Sequence, residues 1–190
     1  MQAWHRRVKH YTPGVLGFLR IIAILNAAVW FGSIIFFTFA AGPAFFSDEM
    51  IHLLGKAYAG AAAQVVIHRY FLMQQWCAGI AIAHLIAEWL YTGRPFHRLV
   101  LLLLMALFLM GLLGGYVLQP RMRDLHLRKY AAQTSPEVKA SAGRSFSILH
   151  GTAQALNLLV IGGVLVYLWY VTKSVNTARF TSVNRFTRVG

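Results

Sequence analysis

Ser147, His150, Gln154 and Asn157 recur at three- and four-residue spacing inside Ser145–Thr172, a run without a formally charged residue. In a helix that spacing puts all four on one face. Such groups are costly in an apolar medium unless they meet a partner. The stripe therefore reads as a polar pocket, an ion site, or interhelical bonding that fixes register. His150 can titrate near neutrality and is the candidate proton or ligand switch. Arg121 follows Gln119-Pro120 at the end of another apolar run, where a permanent cation can satisfy a helix's final carbonyls. Tyr70 opens a third run at the same end. The candidate pocket is Arg121, His150, Gln154, Asn157 and Tyr70, with Arg121, His150 and Asn157 converging on one end of a bundle.

Other chemistries have thinner support. His84 and Glu88, four residues apart, could form a proton-linked pair, or Glu88 could simply reach the interface beside Trp89 and Tyr91. Bis-histidine haem needs two imidazoles at similar depth, a condition that His68 and His150 meet coarsely. Met73 and Cys77 offer a thioether and a thiol suited to Cu(I), but two ligands do not make a site. No metal site and no cofactor is predicted. Cys77 is the only cysteine, so the chain cannot form an internal disulfide. There is no HExxH, GxSxG, phosphate-binding loop or paired-acid motif, and the reading is non-enzymatic.

The elements that must position these residues are four charge-free runs, Ile21–Ser47, Tyr70–Ala87, Leu99–Pro120 and Ser145–Thr172. A hydrocarbon core of roughly 30 Å takes about 20 apolar residues in a helix. The expectation is an all-α, four-helix transmembrane bundle with spans near 20–46, 66–91, 97–119 and 145–173. Pro43, the turn at Thr92-Gly93-Arg94-Pro95, and Pro120 serve as the breaks. Ser47-Asp48-Glu49 looks like a helix start, and the apolar spacing after it predicts an amphipathic interfacial helix between spans one and two. Ser135-Pro136-Glu137 opens the helix that leads into span four. Arg121–Lys129 reads as a short basic helix outside the membrane. Gly111 and Gly115 have the GxxxG spacing that lets membrane helices approach closely.

Composition agrees with a membrane solvent. The chain of 190 residues is 58% hydrophobic and 12% charged, about half the charged share of a soluble domain. The spans leave room for one membrane domain, 20–173, flanked by a basic lead, 1–19, and a basic tail, 174–190. The net charge of +13 sits beside apolar spans, at Arg6, Arg7 and Lys9 and again at Arg179, Arg185 and Arg188. Anionic lipid headgroups are its natural partner, with Trp4, Tyr11, Phe180 and Phe186 at the interface. Nucleic acid is not, since no recognition motif accompanies the charge. The first span is too long for a cleaved signal peptide and reads as a retained helix. An even number of crossings puts both termini on one side, and a slight excess of basic residues there places them in the cytoplasm.

Trp30-Phe31-Gly32, Ala41-Gly42-Pro43-Ala44-Phe45-Phe46, Gln119-Pro120-Arg121, Leu149-His150-Gly151 and Leu156-Asn157-Leu158 together resemble the transmembrane protein 205-like family, small integral membrane proteins grouped as a domain of unknown function. The resemblance covers most of residues 21–170. It implies a four-helix membrane protein without defined catalytic residues, and it is suggestive of transport or trafficking. It marks Pro43, Pro120 and Gly151 as structural, and Arg121, His150 and Asn157 as pocket residues. Two function classes follow. One is a membrane protein whose polar bundle end binds a small solute or ion, or that serves as an accessory subunit of a membrane complex. The other is a haem- or copper-binding redox protein.

Overall fold

Every element is helical in the computed structural model, which describes residues 13–93 and 97–183, with side chains over 14–93 and 97–173. Trp4, Arg6, Arg7, Lys9 and Tyr11, the turn residues Arg94 and Pro95, and the side chains of Arg179, Phe180, Arg185, Phe186 and Arg188 lie outside the described residues. The helices are α1 (Pro13–Phe36), α2 (Gly42–Ala44), α3 (Asp48–Thr92), α4 (Arg98–Leu113), α5 (Gln119–Tyr130) and α6 (Pro136–Val183). Among the described residues, four helical stretches are long and apolar enough to cross a membrane: Gly14–Ala44, Asp48–Thr92, Arg98–Tyr130 and Pro136–Lys173. The protein is a multi-pass membrane protein.

Helix faces follow the hydrophobic period. Ala23, Ala27, Trp30 and Ile34 form one stripe of α1 and are almost fully buried. They meet Cys77, Ala78, Ala81 and Leu85 of α3, and Val160, Val164, Tyr167 and Val171 of α6. Leu104 and Leu107 of α4 complete the core. The opposite faces carry Phe36, Trp76, Leu102, Leu159 and Trp169 outward, as a lipid solvent requires. Both α1 and α4 pack against α3 and α6, so α1 and α4 stand diagonally across the bundle.

The predicted break at Pro43 holds, since the helix of span one ends at Ala44, but the one at Pro120 is not a break. Span one widens into a π-helical turn, Phe37–Ala41, before α2. Span three does the same over Gly114–Leu118, and the helix then runs on through Pro120 as α5. A proline cannot bond the carbonyl four residues back, and its ring crowds that carbonyl. For Pro43 and Pro120 those carbonyls belong to Phe39 and Tyr116, inside the widened turns. The Gly42 N–H instead reaches the Phe37 carbonyl, and the Gln119 N–H reaches the Gly114 carbonyl. One extra residue in the turn thus absorbs each proline. The basic segment Arg121–Lys129 is accordingly a continuation of span three and not a separate helix.

The predicted interfacial helix is also altered. Ser47 caps α3, its hydroxyl accepting from Met50 N–H at 3.3 Å, with Asp48 and Glu49 in the first turn. Gly55 then breaks the helix with φ 72° and ψ 157°, a backbone region open essentially to glycine alone. Only Asp48–Leu54 precedes the break, and Tyr58 and Ala61 belong to the long helix that becomes span two. Gly93 ends that helix in the left-handed conformation, its N–H on the Trp89 carbonyl at 2.8 Å.

At about 1.5 Å per residue, α3 and α6, with 45 and 48 residues, outrun a ~30 Å hydrocarbon core. Their surplus length packs with α5 beyond the end of span one. His126 of α5 locks this extension. It is buried, its Nε2 donates to the Ala57 carbonyl at 2.9 Å, and its ring lies where a Cβ on Gly60 would stand. In sealed vesicles, Gly14→Cys and Lys173→Cys in a Cys77→Ser background should react with an impermeant thiol reagent from one side, and Ala132→Cys from the other. Labelling of positions 14 and 173 from opposite sides would contradict four crossings.

Candidate functional site

The end of span one leaves a cleft of about 290 Å³ between the two π-turns. Phe37, Thr38, Gly42 and Pro43 line one wall, and Gly111, Gly114, Leu118 and Gln119 line the diagonal one. Residues of α3 and α6 supply the rest, among them Ala63, Ile67, Tyr70, Phe71, Gln74, His150, Ala153, Gln154 and Asn157. The volume sits near the low end of small-ligand sites, ~300–1,000 Å³, and the mix of apolar walls with a few polar groups is typical of them. π-turns inside helices also recur at functional sites.

Glycines let the walls close up. A Cβ on Gly114 would stand in the Phe71 ring, and one on Gly115 would stand 2.9 Å from Gln75 Nε2. Gly111 lies against Gln75 and Gln74, so the GxxxG face of span three packs on span two. Phe37 stacks on Tyr70, ring centroids 4.2 Å apart at 14°.

A line of hydrogen bonds crosses three helices at the cleft. Tyr70 Oη donates to Asn157 Oδ1 at 2.7 Å, Asn157 Nδ2 donates to Thr38 Oγ1 at 2.8 Å, and Thr38 Oγ1 donates to the Ile34 carbonyl at 2.7 Å. One turn on from Tyr70, the Gln74 side-chain Oε1 accepts from buried Trp30 Nε1 at 3.3 Å. Above the cleft, rings run inward from the extension. Tyr130 and His126 lie 4.8 Å apart, His126 and Phe146 6.1 Å, and Phe146 stacks on His150 at 5.9 Å.

Of the residues singled out from sequence, Tyr70, His150, Gln154 and Asn157 line this one cleft. Arg121 does not. It is exposed in a shallow groove with Asp124, Leu125, Ser145, Ile148 and Leu149. The reason is the uninterrupted helix: Arg121 sits mid-helix, with no terminal carbonyls to cap. Ser147 is exposed, and Gln154 lies at the open side of the cleft, not deeper than Asn157. Pro43 lines the cleft and Pro120 follows the second π-turn. Gly151 is exposed with nothing within 4 Å of where its Cβ would stand, so packing gives it no structural role.

The other constellations stay apart. His68 is exposed and does not line the cleft with His150. Met73 is exposed while Cys77 is buried, and its carbonyl accepts from Asn26 Nδ2 at 2.9 Å. Among the described residues, no three His, Cys, Asp or Glu side chains group to hold a metal. His84 is half-buried and does not line the cleft, and Glu88 is exposed. Thr38 and Gln74 were not anticipated. Their signal was available, since each is a polar residue inside a charge-free run.

A family model described as a domain of unknown function (DUF4149) matches residues 25–131, more than half of the chain. The chain belongs to the DUF4149 family. No curated protein and no solved structure matches it. The matched DUF4149 region includes both π-turns, Thr38, Tyr70, Gln74 and His126, and it ends before α6. The α6 side of the cleft, with His150 and Asn157, lies outside the match.

Proposed function

We propose that this DUF4149 protein binds a small, largely apolar molecule with one polar end in the cleft between its π-turns, and that it acts as a non-enzymatic carrier or receptor for that molecule in the membrane. The observation that carries this reading is the convergence of Thr38, Tyr70, Gln74 and Asn157 at a largely apolar cleft between membrane-length helices. A charged solute would gain little there, because no Asp, Glu, Lys or Arg side chain lines the cavity. The reading agrees with the resemblance to the transmembrane protein 205-like family and its suggested link to transport or trafficking. Exposed Arg121, Arg123, Arg128 and Arg144 on the helical extension would meet anionic headgroups or an anionic partner. The termini would face the cytoplasm.

Photolabelling tests the proposal. A long-chain alkyl diazirine added to the protein in lipid nanodiscs should label peptides holding Thr38, Tyr70 and Asn157 more than those holding outward-facing Leu102 and Trp169. Ala153→Trp, which fills the cleft, should cut the cleft labelling roughly tenfold and leave outward labelling unchanged. Uniform labelling, unaffected by Ala153→Trp, would remove the proposal.

A further inference from the structure

We infer that the occupant of the cleft is recognised through a hydrogen-bond acceptor, a carbonyl or ester oxygen on an apolar body, and not through a hydroxyl, amine or other donor. The inference rests on the binding reading above and follows from the direction of the hydrogen-bond line. Its direction is fixed by chemistry, and so is the orientation of Gln74 beside it. The Trp30 indole N–H can only donate, so Gln74 turns its oxygen to Trp30 and keeps its amide nitrogen out of that bond. The Ile34 carbonyl can only accept, so the Thr38 hydroxyl donates to it and takes its own hydrogen bond from Asn157 Nδ2. Asn157 Oδ1 therefore faces Tyr70, which donates. Every donor along the line points the same way, from Tyr70 toward Ile34.

This polarity leaves an imbalance at the cleft. The oxygens of Gln74, Asn157 and Thr38 each already accept one hydrogen bond. The Asn157 amide nitrogen has two hydrogens, one of which the line uses, and the line uses neither hydrogen of the Gln74 amide nitrogen. Unpaired buried N–H groups are rarer and less tolerated than under-used oxygens. Both residues line the cleft, and Gln74 is 4% exposed, so its spare hydrogens have no bulk water to turn to. An oxygen acceptor on the occupant answers that need, and a donor on the occupant would leave it unmet. Fatty acyl esters of bilayer lipids carry such an oxygen, and so do free lipid-soluble esters or ketones.

Competition against the diazirine label separates the possibilities. Two matched pairs serve as probes: a diacyl phosphatidylglycerol with its dialkyl ether analogue, and a fatty acid methyl ester with the alkyl methyl ether of equal length. In wild-type protein the ester of at least one pair should displace the label roughly tenfold better than its ether. Preference within the phospholipid pair identifies a bilayer lipid as the source, and preference within the methyl pair alone identifies a free molecule. Asn157→Leu should abolish the preference. If that variant does not fold, the wild-type ester-to-ether ratio decides by itself. Equal competition by ester and ether overturns acceptor recognition and leaves the binding reading standing. No competition by any probe, with uniform labelling, overturns the binding reading instead.

Discussion

Asn157→Leu should lower stability by about 2 kcal/mol, read as a fall in the midpoint of thermal unfolding in one detergent. Two hydrogen bonds are lost at once, to Tyr70 and to Thr38. Interhelical hydrogen bonds in membranes average about 0.6 kcal/mol and reach about 1.7. The larger part of the cost comes from Tyr70, whose half-buried hydroxyl would keep no acceptor, a penalty of about 1–3 kcal/mol. Tyr70→Phe removes the same bond but leaves only an oxygen under-used, so it should cost clearly less. If the two variants were equally stable, or both matched the wild type, the line across the three helices would not be holding the bundle.

Gly114→Val should be at least as damaging, and it probes a different feature. A Cβ on Gly114 would collide with the Phe71 ring, which lines the cleft and lies tilted beside the Tyr70 ring. Overfilling a packed interior costs about 1–3 kcal/mol. The widened turn is also where a β-branched residue is least able to adjust, since its χ1 freedom is small. Gly151→Ala and Gly162→Ala supply the contrast. Neither glycine has an atom within 4 Å of a new Cβ, and both are mid-helix, so each change should be neutral or stabilise by up to about 1 kcal/mol. Thermal unfolding of the three variants side by side checks the ranking. A harmless Gly114→Val would mean that span three does not press on span two as described.

The spans were legible in the sequence because the solvent dictates them. A helix in hydrocarbon must be apolar for about 20 residues, and no packing detail can alter that need. The three- and four-residue spacing of His150, Gln154 and Asn157 was legible for a similar reason, since helix geometry alone puts them on one face. The helix end beside Pro43 was legible, and what Pro120 does was not. A proline permits either an end or a widened turn. The choice depends on contacts distant in sequence, such as Phe71 against Gly114 and His126 against Gly60. Because the helix continues, Arg121 falls mid-helix and outside the cleft. Thr38 and Gln74 were hidden for another reason. Each stands outside the polar stripe, and its partner lies on a different helix, Asn157 for Thr38 and Trp30 for Gln74. Local spacing cannot reveal a pairing between residues so far apart in the chain.

The most direct test of the central claim is a density map of the protein in lipid nanodiscs, sharp enough to show side chains at the bundle end. The account predicts both π-turns in place and elongated non-protein density between Pro43 and Leu118, its polar end within hydrogen-bond reach of Asn157 Nδ2 or Gln74 Nε2. Regular α-helix through Pro120, with the cleft filled by the protein's own side chains and Asn157 turned to lipid, would contradict it.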